Sequence, residues 1–306
     1  MIKKLSALIV IAAFAGAAYY FWTVSPSASP FPFEDSINDR IDAALENASI
    51  DVSEFGGGII TLENGEASFG AGEEVGGGRG SVQLGDPRAV VVKGADADVL
   101  ALVHINGGGT GTFQYIVHFE YIGSEDTVHE VQKVMLGDRI IVDDITAEVT
   151  APTEYEVLVS IKDRETGEGM AAQPTEPRVL TFSRVDGELT LKAIIFGTLE
   201  SHDVVLVSPL PESEVSNSFL VQGAARGPWY FEASFPIELQ TVDGEVLATI
   251  VAQAQGEWMT TDLVPFSTYM VASSTAHGLH MLVLKKDNPS GLPEHDASVG
   301  IPVVIK

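Results

Sequence analysis

From residue 50 onward the hydrophobic and polar positions of this chain alternate with a period of two, the mark of strands that bury one face. Tyr115, Val117, Phe119 and Tyr121 alternate with Ile116, His118 and Glu120, which predicts a half-buried strand. Val99–Ile105 is apolar at nearly every position and predicts a central strand. Further strands are predicted over 128–136, 140–147, 155–161, 179–185 and 189–196. Asn64-Gly65 and Asp186-Gly187 sit between β-type runs and suit two-residue hairpin turns, whose central residues need φ > 0. No segment has the length or period of a buried crossover helix, so residues 50–200 read as an antiparallel β-rich module. The 11 glycines between Gly56 and Gly85 predict a loop-rich window inside it.

Residues 203–306 continue the habit with shorter strands. Val204–Ser208 is closed by Pro209 and Pro211, and Phe219–Ala225 follows. A strand is predicted from Tyr230 through Leu239, and Asp243-Gly244 turns it into Val246–Gln253. Residues 281–285 and 299–305 supply closing strands. Some seven short strands, with turn signals every 8–12 residues or so, form the pattern of an immunoglobulin-like β-sandwich.

The N-terminus breaks the β pattern. Leu5–Trp22 is an uninterrupted run of apolar or small residues behind Lys3 and Lys4. At ~1.5 Å per residue it nearly crosses a hydrocarbon layer of ~30 Å, and Thr23–Val24 completes the span. Tyr19, Tyr20, Phe21 and Trp22 close the run as an interfacial aromatic belt does. Residues 1–24 are therefore expected to be a transmembrane signal-anchor, N-terminus in and C-terminus out. Ala15-Gly16-Ala17 offers a signal-peptidase site as the competing reading, and either way the rest of the chain is exported. Residues 25–49 read as a Pro/Ser-rich stalk and a short helix, capped at Asp35 or Ser36 and running through Asn47, with Ile37, Ile41, Ala44 and Leu45 on one face.

Charge and composition narrow the function classes. The net charge is −26; residues 1–33 carry +2, residues 34–202 carry −20 and residues 203–306 carry −8. Both modules repel a phosphate backbone, so nucleic acid is not an expected partner. Without cysteine there are no disulfides, no thiol catalysis, no Cys-ligated zinc and no lipid-modified cysteine.

Few motifs carry chemistry. Gly107–Phe113 resembles a phosphate loop, but it lacks the Gly-Lys-Ser/Thr ending and leads into a strand, so a flexible β-connection is expected. Asp138-Arg139 and Asp163-Arg164 read as turn caps and edge ion pairs. His104, His118 and His129, with Glu120, would form a zinc site only if they met across strands. A turn near Gly123–Ser124 would set His118 opposite His129. Solvated or hydrogen-bonded strand histidines are the expectation, with no metal and no cofactor. No Gly-x-Ser-x-Gly, His-Glu-x-x-His, Ser-x-x-Lys or Walker pattern occurs, so an enzyme is not expected. The interaction candidates are Trp229, Glu232 and Trp258, an aromatic patch with a carboxylate suited to a sugar ring or a peptide stem. On strict alternation from Tyr230, Phe231 is expected in the core, Trp229 near the sandwich end and Glu232 on the outer face.

Ser208-Pro209, Val221-x-Gly223-x-Ala225, Phe231-Glu232, Asp243-Gly244-Glu245-Val246-Leu247 and Ile301-Pro302-Val303 occur in an order that resembles the Gmad-type immunoglobulin-like domain of bacterial spore germination and membrane-associated proteins. The resemblance covers residues 203–306 and implies a non-catalytic, extracytoplasmic interaction module. Asp287–Glu294 departs from the pattern, where a Ser-x-x-Asp-Gly turn is more usual, and a loop insertion is expected there. Gly-Thr-Gly-Thr-Phe, Leu-Gly-Asp-Arg-Ile and the stretch Asp163–Thr175 resemble an uncharacterised module of exported bacterial proteins. The sequence thus reads as an all-β protein of the bacterial cell envelope: a single-pass anchor, a β-rich module and an immunoglobulin-like sandwich outside the cytoplasm. It is expected to bind or scaffold an envelope protein or glycan. The alternative is a cell-wall glycan hydrolase working through a carboxylate pair.

Overall fold

The computed structural model describes residues 32–70, 80–151, 153–164, 168–199 and 202–306. The expected anchor at Leu5–Trp22 and the Pro/Ser-rich stalk lie outside them. Among the described residues, no helix is long and apolar enough to cross a membrane. The chain divides into two compact units, one within residues 32–162 and 182–190, the other within 163–181 and 191–306.

The first unit opens with α1 (Pro32–Leu45), three residues earlier than the expected cap. Proline suits the first helical turn, where no carbonyl waits for its missing N–H. Ile37, Ile41 and Leu45, four residues apart, lie on one face and are 4%, 0% and 1% exposed. Beside that stripe, Arg40 reaches Asp126 at 2.5 Å and donates to the Gly123 carbonyl at 2.6 Å. A small ribbon of β1 (Ser49–Asp51) and β2 (Ile59–Thr61) follows. Then comes a five-stranded antiparallel sheet of β3 (Glu66–Phe69), β4 (Gly80–Lys93), β5 (Asp96–Asn106), β6 (Phe113–Ile122) and β7 (Thr127–Asp138), in that spatial order. Asn64 and Gly65 have φ of 54° and 82°, so the predicted hairpin turn forms.

β5 is the central strand, and the side chains of Val99, Ala101, Val103, Val117, Phe119 and Tyr121 share one core with the apolar stripe of α1. The predicted half-burial of β6 does not hold. Ile116 and His118, on its other face, are 0% and 1% exposed. A second layer closes over that face: β8 (Ile141–Ala151), β9 (Glu154–Asp163) and the last residues of β10 (Glu176–Val185), followed by the first residues of β11 (Glu188–Gly197). Asp186 and Gly187, at φ of 54° and 89°, make the predicted tight turn between β10 and β11.

The second unit is a two-sheet sandwich. One sheet orders β17 (Leu263–Val271), β14 (Ser218–Arg226), β12 (His202–Ser208), β11 and β10. The other orders β13 (Ser213–Val215), β19 (Ser298–Ile305), β18 (Gly278–Lys285), β15 (Ser234–Gln240) and β16 (Val246–Gln253). β11, β12, β14 and β17 pair antiparallel in turn, as do β16, β15, β18 and β19, while β13 runs parallel to β19. Because Ile194–Phe196 of β11 pair with Val204–Leu206 of β12, the sandwich begins ahead of residue 203. β14 lies between β12 and β17, which explains the small residues Gly223, Ala224 and Ala225. A Cβ on Gly223 would sit 2.2 Å from the Val205 carbonyl oxygen and 3.0 Å from the Phe266 ring. Between the sheets Phe235 meets Trp229, Tyr230 and Phe266 edge-on, at centroid distances of 6.0, 5.1 and 5.1 Å.

Candidate functional site

The three interaction candidates fall on two loops of the sandwich, and the structure redistributes their roles. Gly227–Trp229 is a single 3-10 turn after β14, and Trp229 points inward, 2% exposed. Its indole Nε1 is buried without an acceptor among the described residues. Phe231, expected in the core, is 41% exposed. The outward position of Phe231 has a local cause. Glu232 and Ala233 take φ of 50° and 64°, and Phe231 and Ser234 exchange backbone hydrogen bonds of 2.9 and 3.1 Å around them. They are the centre of a two-residue turn, so β15 starts at Ser234 and alternation cannot be counted from Tyr230. Glu232 is exposed at the tip.

Trp258, half-buried, lies on the loop between β16 and β17. That loop adjoins the first one closely. A Cβ on Gly227 would meet the Thr260 and Trp258 carbonyl oxygens at 1.9 and 2.4 Å, and Ala254 donates its N–H to the Ala233 carbonyl at 2.8 Å. Close backbone approach is thus what the Gly-Pro-Trp sequence provides. The surface so formed carries Phe231, Glu232, Trp258 and Met259, the last 75% exposed. Met259 was not singled out in the sequence, and Phe231 was expected in the core rather than on this surface. The Glu-Ala turn that turns Phe231 outward has none of the usual Asn-Gly or Asp-Gly lettering.

The strand histidines do not converge. A register shift between His118 and Phe119 sets His118 opposite Gln132, and His129 opposite Glu120. His104 packs beside Gly85, where a Cβ would come within 2.6 Å of its Nε2, and burial lowers its pKa. Among the described residues, no three His, Asp or Glu side chains are grouped so as to hold a metal ion. Gly107–Gly111 is held as a β-connection by Asn106, whose amide donates to the Gly111 carbonyl at 2.8 Å and whose oxygen accepts from the Gly108 N–H at 2.7 Å.

His118 instead joins a buried charge cluster in the first unit. Its Nε2 is 3.2 Å from Asp98 Oδ1, while Lys93 Nζ and Arg184 Nε lie 2.5 and 3.6 Å from Asp98 Oδ2. The lysine and arginine contacts are ion pairs by distance, and the His118 ring lies against the same carboxylate; neither Asp98 Oδ2 nor His118 Nε2 has hydrogen-bond geometry. Burial raises the pKa of Asp98, but contact with His118 and Lys93 outweighs it and holds the carboxyl well below its ordinary range. Tyr155 lies against the same group, its ring 5.5 Å from the Arg184 guanidinium, and burial raises its pKa. The cluster ties β4, β5 and β6 to β9 and β10 within that unit.

With the sandwich and its loop surface in place, the family likeness becomes specific. Residues 203–291 match the Gmad2 family, the immunoglobulin-like domain of bacterial spore germination. No curated protein matches the chain. The Gmad2 match runs from the start of β12 to Gly291, inside the loop that follows β18, and so includes both candidate loops. The departure anticipated at Asp287–Glu294 is a loop organised by Asn288. Its side chain donates to the Leu292 carbonyl and the Asp296 carboxylate at 2.8 and 2.7 Å and accepts from the Ser290 N–H at 3.1 Å.

Proposed function

We propose that this chain is a membrane-anchored, extracytoplasmic binding or scaffold protein of the bacterial cell envelope, without catalytic activity. The observation that carries the reading is the match of residues 203–291 to an immunoglobulin-like domain of bacterial spore germination. Leu5–Trp22 would hold the protein at the membrane, with both units on the far side. The loop surface of Phe231, Glu232, Trp258 and Met259 is the recognition face. It lies on loops between strands, where a β-sandwich places its variable contacts, and it exposes apolar and aromatic area beside a carboxylate. Its chemistry suits an envelope protein or a glycan.

The test is to incubate residues 34–306 with purified peptidoglycan, and to follow both retention of the protein and release of soluble fragments. Retention without release is the expected result. Release would make the protein a glycan hydrolase. Retention unchanged by Glu232→Gln and Trp258→Ala together would move the recognition face elsewhere.

A further inference from the structure

Phe231, Glu232, Trp258 and Met259 share one surface, and the charges around it select among the ligands it could hold. From Gly227 to Leu284 the chain has no lysine and no arginine. The two loops carry Glu232, Glu257 and Asp262, all exposed. The Glu257 carboxylate accepts from the Met259 N–H at 3.0 Å, and Asp262 Oδ2 accepts from the Thr260 hydroxyl at 3.3 Å. Glu232 has no hydrogen-bond or ion-pair partner among the described residues. The bordering cations are already matched by acids. Arg226 lies 4.0 Å from Asp203 and donates to the His202 and Thr261 carbonyls. Lys286 is followed by Asp287, whose N–H bonds to the Trp229 carbonyl at 3.0 Å.

A free carboxylate beside exposed aromatic and thioether area is complementary to a cation on an apolar stem. Glu232 and the face of an aromatic ring both attract the charge, while methylenes of the stem cover the apolar side chains. An anionic ligand is repelled by all three acids, and a neutral sugar gains nothing from them. Four exposed side chains are also far fewer than the about 20–30 residues that each partner gives to a standard protein interface, so a short peptide fits better than a protein face. The turn presents this carboxylate at a cost, since Glu232 takes φ of 50°, where asparagine or glycine is the usual residue.

We propose that this surface recognises the free side-chain ammonium of a cell-wall stem peptide, with Glu232 as the counter-charge and Phe231 and Met259 against the aliphatic stem. This rests on the reading of the loop surface as the recognition face of an envelope protein.

The experiment uses the full chain in detergent micelles and peptidoglycan in two forms, native and with its free amines acetylated by acetic anhydride. Acetylation removes the positive charges and leaves the rest of the wall polymer in place. The bound chain is also competed off with N-acetyl-alanyl-γ-glutamyl-lysine amide, its side-chain amine either free or acetylated. The expected result is about tenfold weaker retention on the acetylated wall, as loss of one charge-assisted contact gives, and displacement by the free amine alone. E232Q should bind both forms of the wall at the weaker level. E245Q removes an exposed acid beyond the opposite end of β15 and should keep the wild-type difference, which separates a local contact from the overall charge of the chain. Equal retention on both forms, equal displacement by both tripeptides, an E232Q variant as sensitive to acetylation as wild type, or an E245Q variant that loses the difference overturns the ammonium site and leaves envelope binding standing. A chain that native peptidoglycan does not retain overturns both.

Discussion

Replacing Asp98 with alanine removes the one carboxylate around which the buried cluster of the first unit is arranged. Asp98 is 2% exposed, and Lys93 Nζ, His118 Nε2 and Arg184 Nε stand 2.5, 3.2 and 3.6 Å from its oxygens. Removing one partner of a buried ion pair costs about 3–5 kcal/mol, chiefly because the other charge is left buried and unmatched. Here the side chain of Arg184, 14% exposed, is left in that position, whereas Lys93, at 32%, can turn toward water. The lower end of the range, about 3 kcal/mol, is therefore expected. For a unit of this size that is a fall in Tm of roughly 6–12 °C. Asp98→Asn keeps the volume and removes only the charge, so its loss should be smaller.

The pH dependence gives the sharper reading. A carboxyl whose folded pKa is depressed adds stability that is complete above its unfolded pKa of ~3.9 and is lost as pH falls below it. Wild type should therefore lose stability between about pH 5 and 3 more steeply than Asp98→Asn. Subtracting the two profiles removes the share of Asp51 and Asp126, exposed carboxyls that are also held low. Differential scanning calorimetry across that range measures both quantities. A Tm for Asp98→Ala equal to wild type, or parallel acid profiles for wild type and Asp98→Asn, would refute the reasoning.

Three further outcomes are expected. Trp229→Ala should cost about 3–5 kcal/mol in denaturant titration, as a fully buried aromatic does, while Phe231→Ala should stay within about 1 kcal/mol; the reverse order would place the turn one residue out. Glu232→Asn with Ala233→Gly puts the preferred residues into a turn whose two positions have φ > 0, and should raise stability by about 1 kcal/mol, whereas a lowered Tm would mean that these side chains hold the turn together. Protease added to intact spheroplasts should digest both units, and a mature chain beginning near Ala18 would replace the anchor with a cleaved leader.

The sequence by itself determined what local chemistry decides. A continuous apolar run marks β5 and period-two alternation the strands after it through β11, Asn64-Gly65 and Asp186-Gly187 dictate tight turns, and the four-residue spacing of Ile37, Ile41 and Leu45 defines the buried face of α1. Small residues at 223–225 likewise mark the crowded middle of a sheet, where a neighbouring carbonyl leaves no room for a Cβ. Short strands of three or four residues escaped that reading, and so did two long ones. β4 begins inside the glycine-rich window, and β17 carries Pro265 within its run. What only the tertiary structure decided is where pairing and covering layers intervene. The second layer over β6 turns His118 from a surface histidine into the partner of Asp98, and a bulge beside it parts His118 from His129. The Glu232-Ala233 turn exchanges the places of Trp229 and Phe231, because backbone pairing from β16 and the loop beyond it holds an L-residue turn that no local preference calls for. A strand's face is a matter of parity, and a single residue spent in a bulge or a turn reverses it.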